Sequence, residues 1–480
     1  MARLEAVTTR AGALDDAGRA SVLATLDRLG GPWGPQPRDL RVVGGGGDRV
    51  TARAGLRTVG ACGPFPGGVK LELAAADARC TFTTPAPDAD TRGIPCDPDD
   101  AASDAWPWPD TIALRFDTAA ARTAFDALDA AASEQEFDVT LSLGRAHPVD
   151  ARAHFRGQSS LGCGRKNLAV NLAGPTPRRL APGAADDELL LISLCLDSGY
   201  VNQALANRLM RGLDLMPLND RFVSLTVDGE PRGVYLLLQK PVDTLRRDLA
   251  RLAGVIRRRF DPEDKPEDID FPDDEAGRAW VIDRYHALTA RVGEVAPAEL
   301  LTALRVDFDL DAYLRWLALT SYLHNGDFVD EVFFYASDES AGPWFRLHGW
   351  DSDDLFTDCH HQGRFAFEDP HGLTFCMEGD LDRALLVSDA VYARYVDVLT
   401  ALLTDDAPPS LVAEVLDGVR ADLVARLSDD ATCRAMTEVG ASDCAGLVAA
   451  IDARVASLKG AVEARAEVLL EGIAAYRGAR

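Results

Sequence analysis

The run HNGDFVDEVFFYASDESAGPWFRLHGWDSDD, His324–Asp354, decides how this chain is read. VFFYAS predicts a strand, ESAG a turn and WFRLHGW the returning strand, since aromatic and β-branched residues flank a short polar, Gly-containing break. Acidic clusters stand at both ends of the hairpin: Asp327, Asp330 and Glu331 before it, Asp351, Asp353 and Asp354 after it. Pairing the strands brings the clusters together at the open end. Converging carboxylates repel and raise the free energy unless a cation or a substrate uses them. Oxygen donors of this kind suit Mg²⁺ or Mn²⁺, and a well-placed aspartate can orient or deprotonate a hydroxyl. The bland reading is an acidic surface in an acidic chain. Trp350 and the apolar strands beside the aspartates argue against free solvation.

Working outward, Asp311–Leu323 predicts an amphipathic helix leading into the hairpin. Upstream, HFRGQSSLGCGRKNLAVNL, His154–Leu172, reads as a strand ending at Arg156-Gly157, a Gly/Ser loop, and a new strand opened by Arg165-Lys166. Backbone N–H groups of such a loop beside a cation can hold phosphate oxygens. A solvated hairpin with basic ends is the alternative. Between these segments, RFVSLTVDGEPRGVYLLLQK is a hairpin around Asp228-Gly229-Glu230. Asn202–Gly212 reads as a helix that Asp197 or Ser198 could cap.

Thr111–Asp117, FDVTLSL and DARAHFRG predict strands, and residues 118–133 an Ala-rich helix. Glu188–Cys195 reads as a further helix, Arg246–Gly277 as a charged excursion, and the chain beyond Leu385 as nearly all helical. The fold class is therefore α+β, with a mainly helical C-terminal part. Residues 1–109 read as a separate loop-rich unit. It has a helix at Asp16–Leu29, a strand–turn–strand over RDLRVVGGGGDRVTAR, and a Pro/Asp-rich linker from Pro85 to Pro109. The tetraglycine Gly44–Gly47 lacks the GK[ST] ending of a phosphate loop and reads as a turn. Residues 110–480 form the second domain.

At 480 residues the chain is long enough for two or three domains. Its 47% hydrophobic content excludes a disordered chain. A formal net charge of −26 disfavours nucleic acid and anionic membranes as partners, because phosphates would be repelled. No run of about 18 apolar residues predicts a transmembrane helix. The opening residues lack an apolar signal-peptide core, which points to the cytoplasm. The placement of the nine cysteines suits disulfides in an oxidising, extracytoplasmic compartment, with ordinary reduced cysteines as the alternative reading. Cys359 and Cys376, and Cys433 and Cys444, are spaced as disulfides in polar loops, while Cys62, Cys80 and Cys96 lie in Pro/Gly-rich sequence. His360, His361 and His371 near Asp358 and these cysteines fit no strong zinc pattern, so a disulfide-stapled loop is the preferred reading there.

Taken in order, these segments resemble the spore coat protein H (CotH) kinase-like family. The residues that carry the resemblance are Arg156-Gly157-Gln158-Ser159-Ser160 with Lys166, Val227-Asp228-Gly229-Glu230 with Gly233-Val234-Tyr235-Leu236-Leu237, Asn325-Gly326-Asp327, and Trp350-Asp351-Ser352-Asp353. The resemblance spans Thr111 to about residue 400. It implies an atypical, two-lobed protein-kinase-like fold that transfers phosphate from ATP to protein serines with Mg²⁺ or Mn²⁺. Carried over by position, Lys166 holds nucleotide phosphates with Arg156, Ser159 and Ser160. Asp327 is the catalytic aspartate, and Asp351 and Asp353 bind metal. Glu331 stands where the family has an asparagine and joins the metal set; Gln239 and Val201 replace a usual Glu and Arg. These departures leave a degenerate kinase used for binding, or a surface structural protein, as the alternative function. A metal-dependent hydrolase using the aspartates alone is a third. A basic, Ser-rich protein would be the electrostatically complementary acceptor.

Overall fold

The computed structural model describes residues 110–479 except 129–134, 145–147, 158, 173–187, 216–219, 243–244, 246–251, 259–267, 328–331, 338–344, 361–368, 378, 428, 437 and 439; before residue 110 it describes only the backbone of six short strands. The chain divides into two compact units. One comprises Met1–Trp108 with Arg178–Ala185 and Arg246–Ala250, and the other comprises the rest. In the first, β1 (Ala2–Leu4), β4 (Val50–Leu56) and β3 (Arg41–Gly45) form one sheet. A second contains β2 (Val7–Thr9), β5 (Lys70–Ala74) and β6 (Arg79–Thr83). The expected strand–turn–strand is present, with Gly45 opposite Val50. The expected helix at Asp16–Leu29 and the linker at Pro85–Pro109 lie outside the described residues.

The second unit opens with a closed seven-stranded barrel. Its strands are β7 (Thr111–Phe116), β8 (Phe137–Leu143), β9 (Val149–Arg156), β10 (Asn167–Leu172), β11 (Glu188–Ile192), β12 (Asp220–Val227) and β13 (Glu230–Gln239). They close in the order β10-β11-β13-β12-β7-β8-β9. Alternation in β8 and β9 sends Val139, Leu141, Ala151, Ala153 and Phe155 inward. The short helix α1 (Ala119–Asp126), capped by Thr118, drops Phe125 among them. Its ring centroid lies 4.4 Å from that of Phe155 and 5.0 Å from that of Phe116. The β12–β13 hairpin turns at Asp228-Gly229, both at positive φ, as a two-residue turn matching strand twist requires.

One expected helix is a strand. Glu188–Cys195 contains β11, paired with β10 and β13. Leu189, Leu190, Leu191 and Ile192 are all buried, so both faces of this strand are covered. A continuous short apolar run fits a fully covered strand as well as a buried helix, and periodicity cannot separate the two. The Ala-rich helix is likewise shorter than expected, ending at Asp126.

A second sheet has the order β15-β14-β16-β17, from β14 (Leu252–Arg257), β15 (Asp268–Phe271), β16 (Val332–Ser337) and β17 (Phe345–Gly349). Within Arg246–Gly277, expected to be a charged excursion, residues 252–257 and 268–271 are thus strands of this sheet, while 246–251 and 259–267 lie outside the described residues. Charged residues flank the apolar centre of β14, where Val255 and Ile256 are fully buried. The expected β16–β17 hairpin is present, with Val332 opposite Gly349 at its open end. Helices follow: α2 (Asn202–Gly212), inserted before β12, then α3 (Glu275–Glu294), α4 (Leu300–Leu304), α5 (Leu310–Tyr322), α6 (Ala384–Val387), α7 (Asp389–Ala401), α8 (Pro409–Val424), α9 (Asp430–Ala435) and α10 (Cys444–Gly478). On α10, Leu447, Ile451, Val455, Leu458 and Val462 form one buried stripe at helical spacing. No helix among the described residues is long and apolar enough to cross a membrane.

A buried polar knot ties sheet to helices. Arg258 Nη1 donates to Tyr313 Oη at 2.8 Å, Tyr313 Oη donates to Asp382 Oδ1, and the Gly379 N–H donates to Asp382 Oδ2 at 2.7 Å. Removing one partner would strand a buried charge. In the barrel the load falls on apolar filling. Phe125→Ala is expected to cost about 3–5 kcal/mol, a typical penalty for emptying a buried aromatic site, read as a lowered urea midpoint with an unchanged m-value.

Candidate functional site

Beyond β17 the chain runs through Trp350 into Asp351-Ser352-Asp353-Asp354, and helix α2 grips this loop. Asp197 accepts the N–H groups of Val201, Asn202 and Gln203, which caps α2 as the sequence suggested. The capped residues then reach outward. Asn202 Nδ2 donates to the Asp353 carbonyl at 2.7 Å, and Gln203 Nε2 donates to Asp351 Oδ1 at 2.9 Å. Arg454, from α10, donates to Asn202 Oδ1 at 3.0 Å and to the Leu355 carbonyl at 3.2 Å. Asp351 itself sits at φ +46°, a left-handed conformation that only strong surrounding contacts sustain in a non-glycine residue.

Asp327 comes to the same place by backbone pairing. Asn325 bridges Leu355, the Gly326 N–H donates to the Asp354 carbonyl at 3.0 Å, and the His360 N–H donates to the Gly326 carbonyl at 2.9 Å. Gly326 is packed against the Asp358 carbonyl and Thr357 Oγ1 so closely that a Cβ would overlap both. Asp327, Asp354 and His360 each present one ligand atom within 4.8 Å of the other two. His360 Nδ1 lies 3.6 Å from Asp327 Oδ2, and its Nε2 4.0 Å from Asp354 Oδ1. The expected Cys359–Cys376 and Cys433–Cys444 disulfides are both present. Glu331 lies outside the described residues, as do Cys62 and Cys96, and Cys80 is described in backbone only.

The Gly/Ser loop is built differently from a free hairpin. Ser160 is buried; its hydroxyl accepts from Asn167 Nδ2 at 3.0 Å and donates to the Arg156 carbonyl. Asn167 Oδ1 in turn accepts from the N–H and hydroxyl of Ser193. Ser159 is exposed. Lys166 Nζ donates to the carbonyls of Leu161 at 2.7 Å and Cys163 at 3.3 Å. The deeply inserted cation is its neighbour Arg165, which bonds Glu438 and the carbonyls of Val234 and Ser193 between the rings of Tyr200 and Tyr235. A Cys163–Cys195 disulfide, not anticipated from spacing, fastens the loop beside Asp197.

Arg156 is the residue of this segment that meets the acidic cluster. It lies over Trp350 at 5.8 Å and in electrostatic range of Asp351. Its Nη1 is buried and has no hydrogen-bond partner among the described residues. Burial lowers its pKa. The carboxylates respond in the opposite sense. Desolvation first, then Asp351, Asp354 and Asp197, push Asp353 well above the usual carboxylate range. Desolvation also raises Asp354, opposed by His360 and reinforced by Asp327 and Asp351. Asp327, Asp351, Asp353, Asp354 and Arg156 thus share one electrostatic site, together with Asp197, Gln203 and His360, which the sequence did not assign to it.

Residues 153–469, well over half the chain, match the family model described as CotH kinase protein. The chain belongs to that family. No curated protein matches it. Among solved structures, the crystal structure of a Helicobacter pylori proinflammatory kinase, CtkA, is similar over 63% of this chain and 94% of that chain, at 8% identity and a TM-score of 0.24.

Asp197 generates a pH prediction. Burial raises it to about 7 despite the three N–H donors and Arg454. Because the folded state holds this proton more tightly than the unfolded chain, its contribution is full below the unfolded pKa near 4 and is lost as pH rises through about 7. The urea midpoint of the wild type, relative to Asp197→Asn, is therefore expected to fall between pH 4 and pH 8. A difference independent of pH would mean that Asp197 titrates as an ordinary carboxylate.

Proposed function

We propose that this protein is a CotH-family protein kinase that transfers the γ-phosphoryl group of ATP to a protein serine with Mg²⁺ or Mn²⁺. The observation that carries the reading is the convergence of Asp327, Asp351, Asp353 and Asp354 beside Arg156 in a member of that family. In this reading the barrel and the sheet β14–β17 with its helices act as two lobes.

The donor set fits a hard dication. Desolvation bears on Asp353, a carboxylate supported by its own backbone N–H and crowded by three other carboxylates, which is the setting a cation relieves. Asp351 and Asp353 would hold the metal, with Glu331 assigned on sequence grounds. When bound, the metal neutralises charge on the phosphate oxygens. Arg156, with a buried Nη1 that finds no partner among the described residues, suits a phosphate oxygen. Ser159 and Lys166 line the same loop, and the Ser160 hydroxyl holds its shape. Asp327 would take the proton from the acceptor hydroxyl as its oxygen bonds to the γ-phosphorus and the bond to the departing ADP oxygen breaks. A basic, Ser-rich protein is the acceptor best matched to a chain of net charge −26.

One observation favours the second reading, a CotH fold that binds nucleotide without transferring phosphate: the Lys166 ammonium is engaged by two loop carbonyls. Intact-mass analysis after incubation with ATP and Mg²⁺ or Mn²⁺, with a basic Ser-rich peptide present, separates the two. A kinase gives a phosphoryl adduct on protein or peptide. Asp327→Ala is expected to reduce it about 100-fold or more. Arg156→Met is expected to weaken metal–nucleotide binding about tenfold, the scale of one charge-assisted hydrogen bond. Nucleotide binding with no adduct under either metal would favour the binding reading.

A further inference from the structure

We propose that Gln203 is a positioning residue of the metal site, holding Asp351 with its amide nitrogen and offering its amide oxygen to a water of the ion's hydration shell. The proposal rests on the reading above that Asp351 and Asp353 hold a dication. Gln203 Nε2 donates to Asp351 Oδ1 at 2.9 Å. An ionised carboxylate only accepts, so the nitrogen must face Asp351 and the orientation of the amide is determined.

Oε1 shares its carbon with Nε2 and so stands beside the aspartate loop. It is buried and finds no hydrogen-bond partner among the described residues. The residue is only 1% exposed, so bulk water does not serve it. A bare amide oxygen at that depth costs free energy. A water coordinated to a dication is the donor it lacks, because the ion's charge polarises the O–H bonds.

The same face of α2 carries a second amide. Asn207, one helical turn beyond Gln203, is fully buried, and neither its Oδ1 nor its Nδ2 finds a partner among the described residues. Met210, next along this face, packs so closely on Gly349 that a Cβ there would overlap its sulfur. The face thus runs along the end of β17, whose chain continues into Asp351. Two amides in place of apolar side chains leave three buried polar atoms unserved among the described residues, a cost that packing alone would avoid. Ligating carboxylates are held by such outer partners, and losing one costs about 10–100-fold in metal affinity.

The test uses Mn²⁺ alone, without nucleotide. The ion is titrated into the full chain, free Mn²⁺ is followed by electron paramagnetic resonance, and water-proton relaxation is read for the bound ion. Variants are Gln203→Met, which keeps the volume and removes the amide, Gln203→Asn, whose amide is one methylene short of Asp351, Asp351→Asn, and the control Arg208→Ala, which removes an ion pair to Asp422 elsewhere on α2. Circular dichroism checks that each is folded. Mn²⁺ affinity is expected to fall about tenfold or more in both Gln203 variants and in Asp351→Asn, and to stay unchanged in Arg208→Ala. The Mn²⁺ that Gln203→Met still binds is expected to show altered relaxation per ion, because a coordinated water has lost its acceptor; a purely structural role would leave that signal unchanged. A folded Gln203 variant that binds Mn²⁺ as tightly as wild type, or with unaltered relaxation, would overturn the proposal and leave the metal reading standing. No binding by wild type, or binding indifferent to Asp351→Asn, would sink both.

Discussion

Like-charge repulsion is the constraint on which the rest of this site depends. Asp351 and Asp354 add to the raised proton affinity of the buried Asp353, and Asp327 and Asp351 to that of Asp354, so their positions must be imposed by stronger contacts. The N-terminus of α2 imposes them. Asp197 satisfies three N–H groups that would otherwise lack partners, and this frees the side chains of Asn202 and Gln203 to hold the aspartate loop. Arg454 locks Asn202 from the far end of the sequence. Helix capping and site assembly are thus one hydrogen-bond network, in which loss of any member leaves another buried group unpaired.

This coupling explains what the sequence could and could not disclose. The β16–β17 hairpin, the β12–β13 hairpin and α2 were legible because each is a local pattern: alternation, a two-residue turn, apolar spacing. The meeting of Asp327 with Asp354 was legible for the same reason, as the two ends of one hairpin. The grip of α2 on the aspartate loop was not, because Gln203 with Asp351 and Asn202 with Arg454 are contacts of long sequence separation. Strand β11 was misread because a strand covered on both faces has no alternation to detect. Strand β14 was hidden because its apolar centre is short and its flanks are arginines, one of which, Arg258, is buried in a polar knot. His360 carried a signal, a histidine beside acidic residues, but the same stretch also predicted a disulfide, and both occur.

The Gly/Ser loop shows how a permissive sequence becomes a fixed shape. Nothing in RGQSSLGCGRK demands one conformation. Three anchors supply it: the Ser160–Asn167–Ser193 chain, the Cys163–Cys195 disulfide, and Arg165 between two tyrosine rings. Two adjacent cations then have different fates. Arg165 offers a planar fork that matches several acceptors at once, whereas the Lys166 ammonium settles on the nearest carbonyls. The arginine that opens the motif, Arg156, is the one whose charge reaches the acidic loop.

The backbone around the acidic loop carries a matching cost. Asp351, His324, Phe356 and Cys376 all adopt positive φ, each an expense of order 1–3 kcal/mol for a residue with a Cβ. They share the connections that bring Asp327, Asp351 and Asp354 together. His324 stacks on Phe375 at 4.1 Å, Phe356 N–H bonds the Leu323 carbonyl, and Cys376 is tied by its disulfide. Packing alone would not select crowded carboxylates on a strained backbone, since apolar residues of similar size would satisfy the same volume at lower cost. Concentrated charge, desolvation and strain on one loop support the ligand-binding role proposed for it.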